Sequence, residues 1–416
     1  MEKPKCEHYK VCRLYAESDT EPPLCILHSK NPDKDKELFK TSLKKHRRER
    51  VHDFEGIFFP EIVDFSYATF ADKPNFIDTT FSKGADFSVA EFPDGAYFLG
   101  ATFSERAYFI GATFSKETNF SHAKFSDVAI FINATFSEET ANFYAVTFSD
   151  AAFFSPATFS VGANFSGSRF LGKAQFTGRY TEDNKCIPIF SEVKNEVDFR
   201  GVTLDQPQAL IFRDADLSKC LFEQTDLRKA EFTGVSWPKQ GRRFRVYDEI
   251  RPLKTNETRR WDHIERLYRE LKQNYEDRRD YERAGDFHYG EKEMRRKNPD
   301  TPLLHRFLLT FYYWISGYGE RYIRPLVWAF CLLVLCTCGY LILGIAPAIG
   351  CAPLALTTWE DWVHVALYGL QVMTLLRPTD LVPLGNLATA VKVAQSLLGP
   401  IIFGLFALAV RQRLKR

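Results

Sequence analysis

Three cysteines and a histidine near the start of the chain have the types and spacing of metal ligands. Cys6, Cys12, Cys25 and His28 fall as C-x5-C, twelve residues, then C-x2-H, in a segment too short and polar to build its own apolar core. A bound metal replaces such a core, and soft thiolates around a Pro-containing loop suit tetrahedral zinc. The expected cofactor is therefore a structural zinc ion, with unligated reduced thiols as the alternative. His8 competes with Cys6 or Cys12 as a fourth ligand. Four protein donors leave no open coordination position, so the site is expected to be structural. The nine cysteines are an odd number spread over the chain, and no apolar run follows the first charged residues. Both features point to a reducing, cytosolic setting without disulfides.

A second segment bears on ion chemistry. VMTLLRPTDLVP, residues 372–383, lies between two long apolar stretches. No charged residue occurs from Pro325 to Trp359 or from Val393 to Val410, and each run is long enough to span a bilayer. Basic residues crowd the outer end of each, ERYIR before the first and RQRLKR after the second. The positive-inside rule then puts both termini in the cytoplasm of a multi-pass inner-membrane protein. Between the runs, WEDWVHVALYGLQVMT reads as a short amphipathic helix too charged at Glu360 and Asp361 to cross.

This C-terminal part resembles the two-span potassium channels, with outer helix, pore helix, filter loop and inner helix. The resemblance implies a re-entrant loop in which Thr374 matches the leading filter threonine. Asp380, Leu381, Val382 and Pro383 match the residues that follow the filter, and Gly399 matches the hinge glycine. In that family, glycines let backbone carbonyls line the ion path. Here Leu375, Leu376, Arg377, Pro378 and Thr379 stand instead. Pro378 fixes its φ and a ring of Arg377 repels cations, so potassium selectivity is not expected. Arg377 neutralised by Asp380 would leave the loop a plug.

The elements that must carry these sites are dominated by phenylalanine, 38 of 416 residues. From Phe65 to Phe136 phenylalanine recurs in alternating steps of five and six. After a seven-residue step to Phe143 the rhythm resumes to Phe176, and a small residue, usually Ala, precedes most of these by two. An 11-residue double step fits neither helix nor hairpin. It fits a solenoid in which each face supplies one large and one small inward residue and each turn buries its rings against the next. ADLSK, CLFEQ, TDLRK and AEFTG at 215–234 are tandem five-residue units. The segment resembles the pentapeptide-repeat family, which implies a right-handed, four-sided β-helix over 51–237. The extra residue in alternate repeats departs from that pattern, and residues 177–210 read as an insertion. Five coils are expected between Phe65 and Phe176.

The remaining boundaries follow composition. Residues 1–50 hold the Cys/His segment, 238–300 a charged helical connector, 301–324 an interfacial amphipathic segment, and 325–416 the all-α two-helix membrane domain. In the connector, Ile264, Leu267, Tyr268, Leu271 and Tyr275 recur at helical spacing, and a second helix runs from about Tyr281 to Lys297. His263 and His288 read as surface or packing residues.

A formal net charge of +2 gives no pull toward nucleic acid, and KKHRRER at 44–50 reads as a solvated face. DNA mimicry needs a strongly acidic surface, and the repeats lack one, with 11 Asp plus Glu against 7 Lys plus Arg over 65–176. The chain contains no G-x-x-x-x-G-K-[ST], H-E-x-x-H or G-x-S-x-G, so an enzyme is not expected. Two functions remain. One is a channel-like protein, tetrameric if it forms a pore, anion-permeable or non-selective, with a cytosolic sensory rod. The other is a non-conducting scaffold anchored in the lipid bilayer whose rod holds a cytosolic protein partner.

Overall fold

The computed structural model describes residues 5–12, 14–16, 23–49, 52–206, 209–241, 243–255, 260–347, 354, 359–376 and 381–414. The chain divides into two compact units, Met1–Asn274 and Tyr275–Arg416.

The first unit is a β-solenoid. Its strands are mostly two residues long and assemble into four parallel sheets of six, seven, eight and four strands, one per face. We name each face by its first phenylalanine: Phe54, Phe59, Phe65 and Phe70. Every one of these rings is buried. Within a face, rings stack on the coil above and below, as Phe98 on Phe120 at 4.6 Å with planes 1° apart. Between faces they meet edge on, as Phe109 against Phe120 at 5.4 Å and 90°. Each ring therefore meets its neighbours in the two favoured aromatic geometries, and burying it is worth roughly 1.5–3 kcal/mol. The residue two before most of these rings, usually alanine, is buried as well, and Thr79, Thr118, Val146 and Val197 fill equivalent positions.

The alternation of five and six also has a physical origin. After the Phe54 and Phe65 faces the chain turns within five residues. Ala68 N–H bonds Phe65 O at 3.2 Å, and Tyr67 takes a positive φ of 57°. That is a type II turn. The other two corners are wider and hold the sixth residue. The seven-residue step from Phe136 to Phe143 falls on a wide corner, so Phe143 still stacks on Phe120 at 5.0 Å. Five coils separate Phe65 from Phe176, as expected. Phe54 and Phe59 add rungs in front, with Phe54 stacked on Phe76 at 4.8 Å and Phe59 on Phe81 at 5.3 Å.

The insertion expected over 177–210 is shorter than its sequence suggested. Among the described residues of this stretch, the hairpin pairing Arg179–Tyr180 with Cys186–Ile187 leaves the coil. Phe190 returns to the core beside Phe159 at 5.7 Å, and Phe199 stacks on Phe165 at 5.1 Å. The rings return although their spacing is lost, because burial rather than period is what the core requires.

Two short elements open the chain, α1 (Tyr9–Cys12) and α2 (Lys36–Glu49), and α3 (Tyr247–Thr255) and α4 (Trp261–Asp277) close the solenoid. In each coil the N–H of a Phe54-face ring residue bonds the next coil, as Phe199 N–H to Leu221 O at 2.9 Å. The last such N–H, at Phe222, has no further coil and donates to the Asp248 carboxylate at 3.0 Å. Asn274 Nδ2 donates to Leu227 O and Ala230 O at 2.7 and 2.8 Å. The connector expected as one domain over 238–300 is thus divided, its first part belonging to the solenoid as an edge cap.

The second unit contains α5 (Tyr281–Lys297), α6 (Leu303–Ser316), α7 (Ile323–Leu343), α8 (Trp359–Met373) and α9 (Gly385–Leu414). Helix α7, with 21 residues, and Gly385–Arg411 of α9, with 27, are long and apolar enough to cross a membrane. Leu326, Val327, Phe330, Val334 and Leu335 of α7 and Leu397, Leu398, Ile401 and Leu408 of α9 are exposed. Helix α6 exposes Leu303, Leu304, Phe307, Leu308, Phe311 and Trp314 while burying Leu309 and Ile315. Its last turn is capped by α7: Arg324 donates to Tyr313 O at 2.9 Å and Trp328 Nε1 to Trp314 O at 3.1 Å. Tyr313 O also accepts the C-cap Gly317 N–H at 3.0 Å, so Arg324 gives it a second bond, while Trp328 serves a carbonyl of the last turn.

Candidate functional site

The residues singled out near the N-terminus converge. The donor atoms of Cys6, Cys12, Cys25 and His28 all lie within 4.8 Å of one another, and all four residues are buried. Cys25 Sγ is 3.7 Å from Cys12 Sγ and 3.2 Å from His28 Nδ1, which is 3.7 Å from Cys6 Sγ. Four ligands about 2.3 Å from a central ion stand about 3.8 Å apart along the edges of a tetrahedron, so the donor set fits a metal of that size. His28 Nε2 lies 3.0 Å from Glu55 O, so it carries a proton, and Nδ1 faces the thiols. Backbone N–H groups of Cys25 and Leu14 reach the Cys6 and Cys12 sulfurs at 3.3 and 3.4 Å, as they do around thiolates. Burial lowers the affinity of His28 for a proton, but its hydrogen bonds with the Cys12 and Cys6 sulfurs outweigh that and raise its pKa to about 9. Hydrogen bonds from Cys12 and Cys25 hold the Cys6 thiol below its ordinary range. Such a cluster shares protons that a cation displaces on binding.

His8, the competing ligand, stacks on His28 with ring centres 4.4 Å apart and is not in the donor set. Gly56 has a φ of +68°, and a Cβ there would come 2.8 Å from the His8 ring. The knot is tied to the first coil by Glu55 O and by Lys34. The Lys34 ammonium, buried with its residue, donates to Leu27 O, Ser29 O and Phe58 O at 3.2, 3.1 and 2.7 Å. Sequence reasoning missed Lys34, since a lone lysine in a polar stretch carries no signal of burial.

The second candidate site is built by α7, α8 and α9. Cys336, Tyr340, Ile345, Val365, Tyr368, Val372 and Leu381 form its apolar core. Through this core runs one polar bridge: Tyr340 OH donates to Gln395 Oε1 at 2.7 Å, and Gln395 Nε2 donates to Gly369 O at 3.1 Å. Gln395, a polar side chain within an uncharged apolar run, was the available signal. The hydroxyls of Thr337 and Tyr368 are buried there without a hydrogen-bond partner among the described residues.

Met373, at the end of α8, packs on Gly399, where a Cβ would lie 2.4 Å from Met373 O. Gly399 lies 14 residues, about 21 Å, along α9 from Gly385. Helix α9 continues through Gly399 and Pro400 to Leu414. Thr374, Leu375 and Leu376 are exposed, with Thr374 Oγ1 turned back to Leu370 O at 2.8 Å. Arg377, Pro378, Thr379 and Asp380 lie outside the described residues. When the chain is next described, Val382–Pro383 pairs antiparallel with Ile345–Ala346, directly after α7. Of the histidines set aside, His263 Nδ1 meets Glu223 Oε1 at 2.6 Å, and His288 lies 3.8 Å from Glu291.

Comparison with known families agrees with the coil geometry. Residues 65–113 and 100–140 match a family model described as pentapeptide repeats, and residues 211–236 match a second model of the same description. No curated protein and no solved structure matches the chain.

Proposed function

We propose that this chain, which carries pentapeptide repeats in its N-terminal unit, is a membrane protein of the two-span, pore-type architecture with a cytosolic solenoid. The observation that carries the reading is the path of the chain between α7 and α9. Helix α8 ends against Gly399, about 21 Å along α9. By residue 382 the chain is back beside the end of α7. The eight residues from 374 to 381 extend at most about 28 Å, enough for that return. A short helix that enters between two spans and returns to the same side is a re-entrant segment, tolerated in a bilayer only where protein or water surrounds it. The exposed apolar faces of α7 and α9 fit lipid and neighbouring subunits, and α6, apolar along one exposed stripe, fits the interface. Four copies would close one pore around the loops.

Leu375, Leu376, Arg377, Pro378 and Thr379 replace the glycine-containing filter. The proposed pore is therefore anion-permeable or non-selective. Planar-bilayer recording of the full chain beside Arg377→Glu tests this. Conduction whose ion preference reverses with the charge supports it, and silence of both in a verified tetramer rejects it. The same substituted loop favours a second reading, a non-conducting anchor, which a monomer in detergent would support.

For the Cys/His knot the metal proposed is zinc, held by Cys6, Cys12, Cys25 and His28. Three thiolates and an imidazole are a structural zinc donor set. Zinc would supply the cross-link that holds the knot against the first coil, and Lys34 and Glu55 O hold the knot's orientation. No enzymatic step is assigned to any of these residues.

A further inference from the structure

We propose that the Phe65 face of the solenoid carries a docking surface for a basic, amphipathic segment of another protein. On this face the residue before each ring points outward. In register these are Asp64, Asp86, Tyr108, Ile130, Phe153 and Gln175. The three in the middle are apolar. Ile110 and Ile132 stand at the adjoining corner, on rungs joined by the bond from Gly111 N–H to Ile132 O at 2.8 Å. Val128 flanks Ile130 on the other side. Tyr108, Ile110, Val128, Ile130, Ile132 and Phe153 are all partly exposed. With rungs about 4.8 Å apart and columns two residues apart, the patch covers roughly 10 by 13 Å.

Strand propensity does not account for it. The equivalent two-residue strands elsewhere turn polar groups outward: Thr80, Thr102, Lys124 and Thr147 on the Phe59 face, Thr113, Thr135 and Thr158 on the Phe70 face, and Asn119, Asn142 and Asn164 on the Phe54 face. Tyr97 is an exception on the Phe54 face, with Lys73 Nζ 3.9 Å from its ring centre and its hydroxyl on Glu117, whereas the Phe65 face turns apolar residues outward over three successive coils.

Charge decides the occupant. Asp64 and Asp86 continue the apolar column, and Asp127 and Asp150 border it. Their carboxylates accept from the nearby backbone N–H groups of Ser66, Ser88, Val128 and Ala151 at 2.8, 2.8, 2.7 and 2.7 Å. Glu105 is matched by Lys83 at 3.5 Å, and Arg106 and Lys173, each one residue before a strand of this face, leave the four carboxylates in excess. Two copies meeting through this face would bring like charges together, and an anionic lipid surface would be repelled. A helix two or three turns long with apolar anchors and a Lys/Arg flank satisfies both the patch and its border.

The test is a titration of the full chain, in zwitterionic nanodiscs with empty discs as the blank, by a labelled Leu/Lys amphipathic peptide of about five turns. Binding in the micromolar range is expected, weakened ~10-fold or more by Ile130→Lys and several-fold by the milder Ile130→Thr. Thr135→Lys, on the adjoining Phe70 face, is expected to leave it unchanged. Unaltered circular dichroism checks that each variant is folded. Equal weakening by Thr135→Lys, equal binding of a Leu/Glu peptide, no binding at all, or self-association lost in Ile130→Lys would each overturn the proposal. The surface does not depend on whether the membrane unit conducts, and a chain that proved soluble would be titrated identically in buffer.

Discussion

Gly399→Ala isolates the contact on which the path of the loop depends. A methyl group at 399 would sit 2.4 Å from Met373 O and 2.6 Å from Met373 Cγ. Ordinary contact begins about 1 Å further out, so either α8 withdraws or α9 bends. Overpacking of this kind costs about 1–3 kcal/mol. Against it stands the helix preference of Ala over Gly, about 1 kcal/mol. Gly404 is the internal control, because a Cβ there meets nothing within 4 Å on the same helix. Gly404→Ala should therefore gain up to about 1 kcal/mol, while Gly399→Ala loses up to about 2 kcal/mol. Labelling of Cys336 during heating in detergent, resolved by mass spectrometry, reports on this region, since Cys336 is buried in the cluster with Val365 and Tyr368. The expected order of half-labelling temperature is Gly404→Ala, then wild type, then Gly399→Ala. If both substitutions raise it equally, α8 does not end against Gly399 and the re-entrant reading loses its support. If Gly399→Ala changes conduction but not labelling, Gly399 is a hinge and not a packing contact.

Three further outcomes are expected. Burial pushes the Asp248 carboxyl from its ordinary 3.8 up to about 7, against the pull of the Phe222 and Glu223 N–H groups. Between those values the folded state holds a proton that the unfolded chain has released. The C-terminal cap therefore loses up to about 4 kcal/mol as pH rises through that window, and nothing further above it. Hydrogen exchange at Phe222 and Glu223, corrected for its intrinsic pH dependence, should show this loss, and Asp248→Asn should remove it. Purified protein should contain one zinc ion per chain by elemental analysis, and Cys25→Ser should lose it. Exchange should then quicken around Glu55 to Phe58, which the knot holds through His28 and Lys34; a zinc-free wild type with protected amides there would refute the assignment. Phe131→Ala should cost about 3–5 kcal/mol, because Phe131 stacks on both Phe109 and Phe154 at 4.8 Å. Phe232→Ala, at the last rung with Phe212 stacked beneath it at 5.7 Å and Trp237 edge-on at 5.5 Å, should cost less in urea unfolding because no second stacked ring is lost.

The solenoid was legible because its core uses one residue type at a fixed interval. Four inward rows of Phe can be counted before any geometry is known. What the interval did not disclose was which corners hold the sixth residue, since that depends on where a residue such as Tyr67 or Val89 takes a positive φ. Nor did it disclose that Phe190 and Phe199 rejoin the core, because their spacing no longer follows the period. The Cys/His donor set was legible from its spacing, and setting His8 aside in favour of Cys6 and Cys12 needed the fold. Gln395 and Asn274 are instructive in the other direction. Each was one polar letter in a helix, and each joins elements far apart in sequence, Gln395 to Tyr340 and Gly369, Asn274 to Leu227 and Ala230. Contacts of that separation leave no periodic trace.

The two ends of the solenoid pose the same problem and meet it with different chemistry. A parallel coil leaves unpaired N–H and C=O groups at both ends, as Asn274 Nδ2 serving Leu227 O and Ala230 O at the C-terminal end illustrates, and either edge invites pairing with another chain. At the C-terminal end the open donors meet acceptors carried by helices: Asp248 receives Phe222 N–H and Glu223 N–H. At the N-terminal end the open acceptors need donors. Lys34 Nζ reaches Phe58 O, His28 Nε2 reaches Glu55 O, and His46 Nε2 reaches Asp53 O at 2.5 Å. Two of these three donors come from the Cys/His knot or the loop that leaves it, so a metal held by the knot would act on the edge through them. A carboxylate cap responds to protons and a thiolate knot to metal and redox state, so different conditions should open the two ends of the rod. Acid should tighten the C-terminal end, by the sign derived for Asp248, and chelation or oxidation should loosen only the N-terminal one.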